Sequence, residues 1–430
     1  MGMGMGMDMG MPAGRPGRMS LRNLRNLRTF SSFKNPVYAL YYGGMLGQMV
    51  GMNMQMLARS LLIYRLTDSA FILGAMSLAF AIPMVGLSLF GGVIADRVQK
   101  KYVLLVGQAA SALVSAAVGL TLTLGYLSAE NASSWWILVA SSVFHGIIMS
   151  LMMPSRQAIL PEIVGEEQLM NAISLSTVGM NALRPIASMV AGFLIEGVGF
   201  EAVYYTVAGM YVLSIVFIIF LPRTSTIAVR SSDAFDNIKE GFKYLRSEST
   251  IMLVLAIMLV STVLAMPFQQ LMPIFSEDIL KVGASGLGIL MGVSGAGAIL
   301  VSLVLASLPN KKRGFMMLVA GIILGLALIG FSFSSLWPLS LVLIAIVGVG
   351  QNAQMALSNT LIQYYVKPEY RGRVMSILLM QFGLMAFSTF LAGALSEVWG
   401  VQWAVGGFAV GLAIMSVVAL LFLRRVRDLD

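Results

Sequence analysis

The sequence predicts an all-α membrane protein with twelve transmembrane helices in two six-helix halves and with both termini in the cytoplasm. Composition is the first observation: of 430 residues, 58% are hydrophobic and only 11% are charged, and the mean hydropathy is +0.86. Apolar segments of membrane length also recur along the chain, and lysine and arginine concentrate in alternate loops. A soluble core does not need such segments, whereas a spanning helix requires about 20 apolar residues.

Each half contains six candidate spans. Those of the first half run from Val37 to Ala58, Ala70 to Ala95, Val103 to Leu127, Trp135 to Ile159, Leu169 to Ile195 and Val203 to Leu221. Those of the second half run from Ile251 to Phe275, Gly286 to Leu308, Phe315 to Phe333, Leu339 to Ile362, Met375 to Leu395 and Trp403 to Leu423. The boundary between the ninth and tenth spans is the least marked, because it rests only on residues 331–338.

The distribution of basic residues sets the orientation of these spans. With both termini inside, all but four of the 28 lysines and arginines fall in inside loops and tails, and only Arg65 and Lys281 fall outside. Basic residues favour the cytoplasmic side of a membrane, so a shift by one helix would destroy this segregation. The net charge of +9 therefore reports topology and does not indicate a nucleic-acid partner. We expect a multi-pass protein of the bacterial plasma (inner) membrane, with the lipid bilayer as a partner.

The spans divide the chain into five parts. Residues 1–34 predict a disordered basic cytoplasmic tail, because they lack the apolar core of a signal peptide. Residues 35–222 and 250–424 form the two six-helix halves, and residues 425–430 form a second cytoplasmic tail. Residues 223–249 form a cytoplasmic linker with an amphipathic helix. The apolar stripe of that helix consists of Phe235, Ile238, Phe242 and Leu245.

Several kinds of site are excluded or disfavoured by the residues present. The chain has no cysteine and a single histidine, His145, which excludes disulfides and thiolate or polyhistidine metal sites. No G-x-x-x-x-G-K-[ST] phosphate loop occurs, which argues against an ATP-driven pump. A lone histidine also supplies neither a nucleophile with a base nor a metal cluster. We therefore expect no cofactor, no metal and no enzymatic activity.

A short internal repeat indicates that the two halves are related. Residues 191–199 (AGFLIEGVG) close the fifth span, and residues 392–400 (AGALSEVWG) close the eleventh. The two segments share alanine, glycine, leucine, glutamate and glycine at matching positions. Because the matching segments close corresponding spans, each half repeats one six-helix unit.

The loop between the second and third spans carries the most specific motif. Its sequence, GVIADRVQKK over residues 92–101, is similar to the G-x-x-x-D-R-x-G-R-K signature of the major facilitator superfamily, with Gln99 where glycine is usual. Glycine at position 92 permits close helix approach, and an acid at a helix end can meet an arginine or a helix N-terminus. The resemblance implies the major facilitator fold.

The resemblance also implies a latch that helps to hold the cytoplasmic side closed. Its members are Gly92, Asp96 and Arg97 after the second span, and Arg371 and Arg373 at the start of the eleventh. The corresponding loop of the second half, residues 309–313, lacks an acid, so a latch there would be weaker. For Asp96 and Arg97 the alternative is an ordinary solvated loop.

Other segments narrow the resemblance to one branch of the superfamily. Residues 64–69, 154–162, 171–172 and 240–245 are similar to bacterial exporters of the enterobactin-exporter and macrolide-efflux type. Two departures weaken the analogy with proton antiporters. Ser142 stands where those proteins usually carry an arginine in the fourth span, and the antiporter motif of the fifth span survives only as Gly179, Arg184-Pro185 and Gly192.

Polar residues inside the spans are the candidates for a substrate path, since such sites lie near the midplane between the halves. Gln48, Gln55 and Arg59 share one face of the first span. The other candidates are His145, Asn181, Arg184, Gln269, Gln270, Gln351, Asn352, Gln354 and Gln381. For each amide the alternative is a hydrogen bond between helices.

Arg184 and Arg59 are the charged candidates. A guanidinium inside a bilayer costs about 2.5–3.5 kcal/mol on insertion scales, so Arg184 is expected to face the bundle interior or a watery cavity. Its alternative role is to brace a kink at Pro185, and Arg59 alternatively snorkels to the interface. If both arginines reach the path, anionic or polar substrates are favoured over lipophilic cations.

Taken together, the residues and the resemblance predict a secondary active transporter, a monomer that exports drug-like or siderophore-like small molecules by alternating access. Protons are a candidate coupling ion, through His145, which can titrate near neutral pH, or through an outer glutamate. A neutral structural histidine is the alternative for His145. Nutrient uptake and a transport-inactive membrane sensor are the alternative functions.

Overall fold

The structure, a computed structural model, describes residues 32–88, 94, 97–128, 130–131, 133–223, 240, 243–308, 311–378 and 380–429. Within these ranges every regular element is a helix. The first half contains α1 (Pro36–Thr67), α2 (Ala70–Gly86), α3 (Lys100–Thr123), α4 (Trp136–Gly165), α5 (Gln168–Gly197) and α6 (Phe200–Ile219). The second half contains α7 (Ser249–Ile279), α8 (Gly283–Ser307), α9 (Arg313–Phe333), α10 (Trp337–Tyr365), α11 (Arg371–Leu378), α12 (Met380–Trp399), α13 (Val401–Phe422) and α14 (Arg424–Arg427).

Ten helices in the described part of the chain are long and apolar enough to cross a membrane, by length and composition. The first two helices are not among them. α1 has 32 residues but is more polar than these ten helices, and α2 has 17 residues. The described chain is thus all-helical and predominantly of membrane-spanning character.

The limits of α1 follow from its sequence. The side chain of Asn35 accepts hydrogen bonds from the free backbone N–H groups of the first turn, and Pro36 occupies the first helical position, where its missing N–H is not needed. The helix ends at Asp68, whose φ of 47° is left-handed. It therefore continues well beyond Ala58, the predicted end of the first span, and Arg59 lies inside the helix.

Breaks between helices occur at few positions. Gly165, with a φ of 71°, separates α4 from α5, and side chains other than glycine rarely adopt this conformation. Residues 334–336 separate α9 from α10, which confirms the boundary with the weakest sequence signal. The predicted tail up to residue 31 and the stripe residues Phe235, Ile238 and Phe242 lie outside the described residues. The last residue of that stripe, Leu245, is buried against the second half.

One hydrophobic cluster extends across both halves, each half adds a cluster of its own, and two helix pairs make the most extensive contacts between the halves. In the first half α1 packs against α5 and α6, and α3 packs against α6. In the second half α9 packs against α10 and α13, and α8 packs against α10. The main pairs that cross between the halves are α5 with α8 and α2 with α12, and α7 also contacts α1 and α2.

The α5–α8 contact depends on two glycines. A Cβ atom added at Gly192 would meet the carbonyl oxygen of Ala284 and would lie 3.0 Å from the Cα of Gly288. A Cβ added at Gly288 would lie 2.9 Å from the carbonyl oxygen of Ser188. Such approaches bring backbone against backbone and leave no room for a side chain. We call this contact, together with Glu196 and Ser285, the α5–α8 joint.

The α2–α12 contact repeats this arrangement residue for residue. A Cβ added at Gly393 would lie 2.5 Å from the carbonyl oxygen of Ala70 and 3.0 Å from the Cα of Gly74. A Cβ added at Gly74 would lie 2.9 Å from the carbonyl oxygen of Thr389. With Glu397 and Phe71, these residues form the α2–α12 joint.

Both joints lie near the end of the bundle where α1 ends and α2 begins, here called the tight end. The opposite end, where α3, α9 and α14 begin with lysine or arginine, is called the basic end.

Candidate functional site

A chain of polar side chains crosses from the first half to the second at the centre of the bundle. Nη2 of Arg184 on α5 donates a hydrogen bond to Oε1 of Gln269 on α7 at 3.2 Å. Nε2 of Gln269 donates to Oε1 of Gln351 on α10 at 3.0 Å, and Nε2 of Gln351 lies 3.1 Å from the sulfur of Met266. Three of the predicted path residues are thus brought together across the halves.

Arg184 lies in the middle of α5. At a rise of 1.5 Å per residue it is roughly 24 Å from Gln168 and roughly 20 Å from Gly197. Arg184 is exposed, and no carboxylate of the described residues forms an ion pair with it. Its described side-chain hydrogen bond runs to the other half, so it does not brace the carbonyl groups around Pro185.

A second polar group lies inside the first half. Tyr211 of α6 donates a hydrogen bond to Oε1 of Gln55 at 3.1 Å, and its oxygen lies 3.2 Å from Nε2 of His145. Because the phenol has only one proton, Nε2 of His145 is the donor to Tyr211. Nδ1 of His145 is buried without a partner in the described chain. The imidazole therefore keeps one unused acceptor.

Arg59 lies in the same half, and its described side-chain contacts are with residues of that half. Its Nη1 donates to Oγ of Ser142 at 3.3 Å, and its guanidinium carbon lies 5.6 Å from the ring centre of Phe80. Both partners belong to the first half, and neither is acidic. Ser142 on α4 is the position where proton antiporters usually carry an arginine. In this chain the guanidinium beside that position comes from Arg59 on α1.

The remaining predicted path residues divide by their contacts. Asn352 donates to the carbonyl oxygen of Ala298 and to Oγ of Ser302, both at 2.7 Å. Nε2 of Gln354 donates to Oγ of Ser261 at 2.7 Å. These two amides join helices within the second half, which is the alternative that the sequence left open. Gln48 is buried, Asn181 is exposed, and Gln270 and Gln381 are partly exposed.

Two acidic residues at the end of α7 contact the end of α1. α7 finishes in a π-helical turn that contains Glu277 and Asp278. Nη2 of Arg65 donates to Oε1 of Glu277 at 2.8 Å, and the hydroxyl of Tyr64 donates to Oδ2 of Asp278. Single π-helical turns are frequent at functional sites. This turn holds two carboxylates of the second half against the first half at the tight end.

Glu196 and Glu397 make equivalent contacts in the two joints. Oε2 of Glu196 accepts a hydrogen bond from the backbone N–H of Ser285 at 2.9 Å, in the first turn of α8. Oε2 of Glu397 accepts from the backbone N–H of Phe71 at 3.1 Å and from the hydroxyl of Ser69 at 3.3 Å, at the start of α2. Each carboxylate thus satisfies a free N–H group at the N-terminus of a helix in the other half, where the helix dipole also favours negative charge.

The predicted latch lies partly outside the described residues. Those outside are Gly92, Asp96 and the side chain of Arg371. Arg97 is exposed. Arg373 pairs with Glu240 of the linker at 2.6 Å and lies over the ring of Tyr370. The described contacts of Arg373 therefore tie the linker to α11, and the latch stays a prediction.

Several residues of these groups were not predicted from the sequence. Tyr211 lies in no motif, Tyr64 belongs to the exporter-like segment 64–69, and no sequence pattern indicates the partner of either tyrosine. Glu196 and Glu397, however, occupy matching positions in the repeated segments, and this match was the available signal. A buried polar face of α3, formed by Gln108, Ser111 and Ser115, was also missed, and its side-chain oxygen and nitrogen atoms have no described partner. Among the described residues, no group of His, Cys, Asp or Glu is arranged to hold a metal ion.

Similarity to known proteins decides the family. The family model described as Major Facilitator Superfamily matches residues 41–387 and 310–429. The chain belongs to the Major Facilitator Superfamily. Solved structures agree: a bacterial homolog of the human lysosomal transporter Spinster, in an inward-facing and unoccupied conformation, gives a TM-score of 0.71 at 13% identity over 91% of this chain and 97% of that one. The nucleoside transporter NupG gives 0.68 at 13% identity over 90% and 99%. At this identity the likeness shows the fold alone.

Relatives with assigned names are transporters, and several of them are named as exporters or efflux proteins. The Staphyloferrin A transporter of Staphylococcus aureus is 22% identical over 86% of this chain and 90% of its own length. The Enterobactin exporter EntS of Shigella boydii is 24% identical over 95% of both chains. Macrolide efflux protein A of Streptococcus pyogenes is 24% identical over 84% of this chain and 90% of its own. The chain is thus a multi-pass membrane transporter of this superfamily and not an enzyme, which confirms the resemblance found in the sequence.

Proposed function

We propose that this protein is a secondary active exporter of drug-like or siderophore-like small molecules, working by alternating access in the bacterial plasma membrane. It has twelve spans, cytoplasmic termini and a monomeric form in this proposal. The names of its relatives, a Staphyloferrin A transporter, an Enterobactin exporter and a macrolide efflux protein, supply the substrate classes. The basic end is cytoplasmic because lysine and arginine favour that side of a membrane.

One observation carries the mechanism: the described hydrogen bonds between the halves lie between the centre of the bundle and the tight end. They involve the paired joints, the carboxylates of the π turn and the bond from Arg184. With the tight end outside, the two halves are closed toward the exterior. Rocking of one half against the other would break these bonds and open the path outward.

The closed cytoplasmic side of the cycle is assigned to the predicted latch. In the outward-open state Asp96 meets the start of α11, where Arg371 and Arg373 lie. In this proposal the latch at the basic end and the acid contacts at the tight end alternate, one set closing each of the two states.

Proton antiport is the coupling that we propose. The described acids of both halves lie at helix ends or in the segments that connect helices, so the proton-binding candidates are the outer glutamates of the joints and His145. A protonated Glu196 or Glu397 no longer carries the charge that favours a helix N-terminus. Protons from the exterior would therefore weaken both joints and favour opening toward the side from which they come.

The test is pH change reported by a dye in everted membrane vesicles that hold an imposed proton gradient. Staphyloferrin A, enterobactin and a macrolide are added one at a time. We expect a substrate-dependent fall of the gradient with the wild type, and no such fall with Asp96→Asn. If the folded and inserted wild type gives no response to any compound, proton-coupled export of these classes is wrong. A response of Asp96→Asn equal to that of the wild type would contradict the proposed role of Asp96 in the latch.

A further inference from the structure

We propose that the centre of the path is an anion site, in which Arg184 binds a carboxylate or comparable oxyanion of the transported solute. This inference rests on the proposed function only in taking the bound anion to be the transported solute, because binding itself can be measured without flux. It narrows the substrate to a class defined by charge.

The position of Arg184 makes its charge costly unless something compensates for it. It lies roughly 20 Å or more from either end of α5, and the insertion of a guanidinium at such depth is unfavourable. Arg184 nevertheless is exposed, and its described partner, Gln269, belongs to the other half. Contact with both halves places the guanidinium on the path between them.

Arg184 lacks a protein counter-ion. A guanidinium has five N–H donors, and the described contacts of Arg184 use one of them on a neutral amide. The ion pairs among the described residues lie elsewhere, as in Arg65 with Glu277, Lys100 with Glu162 and Arg373 with Glu240. A structural arginine at this depth would be expected to have an acid beside it. The missing negative charge is therefore assigned to the solute.

The residues around Arg184 indicate further features of that solute. A guanidinium binds a carboxylate through two parallel hydrogen bonds, which an ammonium group cannot reproduce. Gln269 and Gln351 continue from it as amides that both donate and accept hydrogen bonds, and Asn181, one turn earlier on α5, is exposed. A carboxylate bearing neighbouring hydroxyl or amide groups fits this set.

The path between the halves, and not the bilayer, is the source of this anion. Lipid headgroups lie at the two membrane surfaces, about 20 Å from Arg184 on either side by the helix rise. A second intramembrane cation, Arg59, also lacks an acidic partner among the described residues, since its guanidinium donates to Ser142. Two uncompensated cations inside one bundle raise the local positive potential and so the local concentration of anions.

The experiment is isothermal titration of the purified full chain in phosphatidylcholine nanodiscs, at constant ionic strength. The probes are citrate, which carries carboxylates and a hydroxyl, and tetraphenylphosphonium, a lipophilic cation. The variants are Arg184→Gln, Arg184→Lys and the charge-matched control Lys281→Gln, whose side chain lies in the exposed loop before α8. We expect Arg184→Gln to bind citrate at least about tenfold more weakly than the wild type, Arg184→Lys to be intermediate, and Lys281→Gln to be unchanged.

Three outcomes would overturn the proposal. They are no citrate binding by folded wild type, equal binding by Arg184→Gln and the wild type, and an equal loss in Lys281→Gln, which would make the effect one of net charge. If Arg184→Gln does not fold, Arg184→Lys still tests the proposal, because full citrate affinity in that variant would show that the guanidinium is not required for binding. Arg184-dependent binding in a protein that moves no proton would support the anion site while contradicting antiport, so the two proposals fail separately.

Discussion

The charged residues discussed above fall into two groups, acids at helix ends and arginines inside helices. The acids that join the halves, Glu196, Glu277, Asp278 and Glu397, lie at helix ends at the tight end. Arg59 and Arg184 instead lie inside helices and bond to neutral side chains. Water can reach a helix end and reduces the cost of a charge there, whereas a charge at the centre needs a partner of its own. In the proposed mechanism the acids therefore serve closure, and the cations are available to bind a ligand.

Substitution of Tyr211 tests whether the buried polar network of the first half stabilises the protein. Its hydroxyl contacts both Gln55 and His145, so Tyr211→Phe leaves two buried polar groups without a partner. We expect a loss of about 1–3 kcal/mol of stability, measured by thermal unfolding of the purified protein. The control is Tyr205→Phe, since the Tyr205 hydroxyl meets Thr123 at an exposed position. Equal stability of the two variants would mean that the network does not stabilise the half.

Helical spacing predicted part of the candidate site. It placed Gln48, Gln55 and Arg59 on one face of α1, and the structure keeps all three within that helix. It could not predict that Gln55 bonds to Tyr211, because the two residues are 156 positions apart and no local pattern links them. Partners across that distance follow from the packing of whole helices, which spacing within one helix does not encode.

At the scale of elements, each joint combines a glycine and a glutamate one turn apart on the same helix. Gly192 and Glu196 face α8, and Gly393 and Glu397 face α2. The glycine lets the backbones meet, and the close approach brings the carboxylate to the N-terminus of the opposite helix. The close backbone contact and the contact of the carboxylate with the helix N-terminus therefore form together.

Gly192→Ala tests the backbone contact of the α5–α8 joint. Its Cβ would overlap the carbonyl oxygen of Ala284, so α5 and α8 must move apart, at a cost of about 1–3 kcal/mol. Gly209→Ala is the matched control, because a Cβ at Gly209 on α6 meets nothing within 4 Å and alanine favours a helix by about 1 kcal/mol. We expect the melting temperature to fall in the first variant and to stay or rise in the second. A rise in both would contradict the close packing of the joint.

Hydrophobic pattern predicted the helices better than it predicted their partners. The apolar runs gave the positions of the membrane helices, and the repeat of residues 191–199 and 392–400 gave the relation between the halves. The pairing of α2 with α12 joins segments about 300 residues apart, and many helix orders satisfy the same apolar pattern. Only the glycine and glutamate shared by the two repeats pointed toward it.

At the scale of the whole molecule, the protein is closed at one end and must open there to work as proposed. Composition, basic-residue distribution and one loop motif were sufficient to predict the class and the family. The state of the bundle was not predictable, because the two states of an alternating-access transporter share one sequence and differ only in which contacts are made. The structure selects the state in which both joints are formed.

The absence of cysteine from the sequence allows a direct test of that state. Ser188→Cys introduces a single thiol at a buried position of the α5–α8 joint. In intact cells we expect slow reaction with a membrane-impermeant thiol reagent. Adding Glu196→Gln and Glu397→Gln should accelerate labelling several-fold, because both helix N-termini lose their negative partner.

The control for this labelling is Glu130→Gln in the same Ser188→Cys background. Glu130 is exposed in the loop between α3 and α4 and makes no described contact between the halves. Its neutralisation should leave the labelling rate unchanged. Equal rates in all three proteins would show that the paired glutamates do not hold the tight end closed.

The symmetry of the joints has a consequence for the origin of the chain. In a two-fold symmetric dimer every contact occurs twice, once for each subunit. A single six-helix ancestor with Ala-x-x-x-Gly at the start of its second helix and Gly-x-x-x-Glu at the end of its fifth would therefore have formed both joints by pairing with a second copy. Fusion of two such copies turns that dimer interface into the internal hinge surface of one polypeptide.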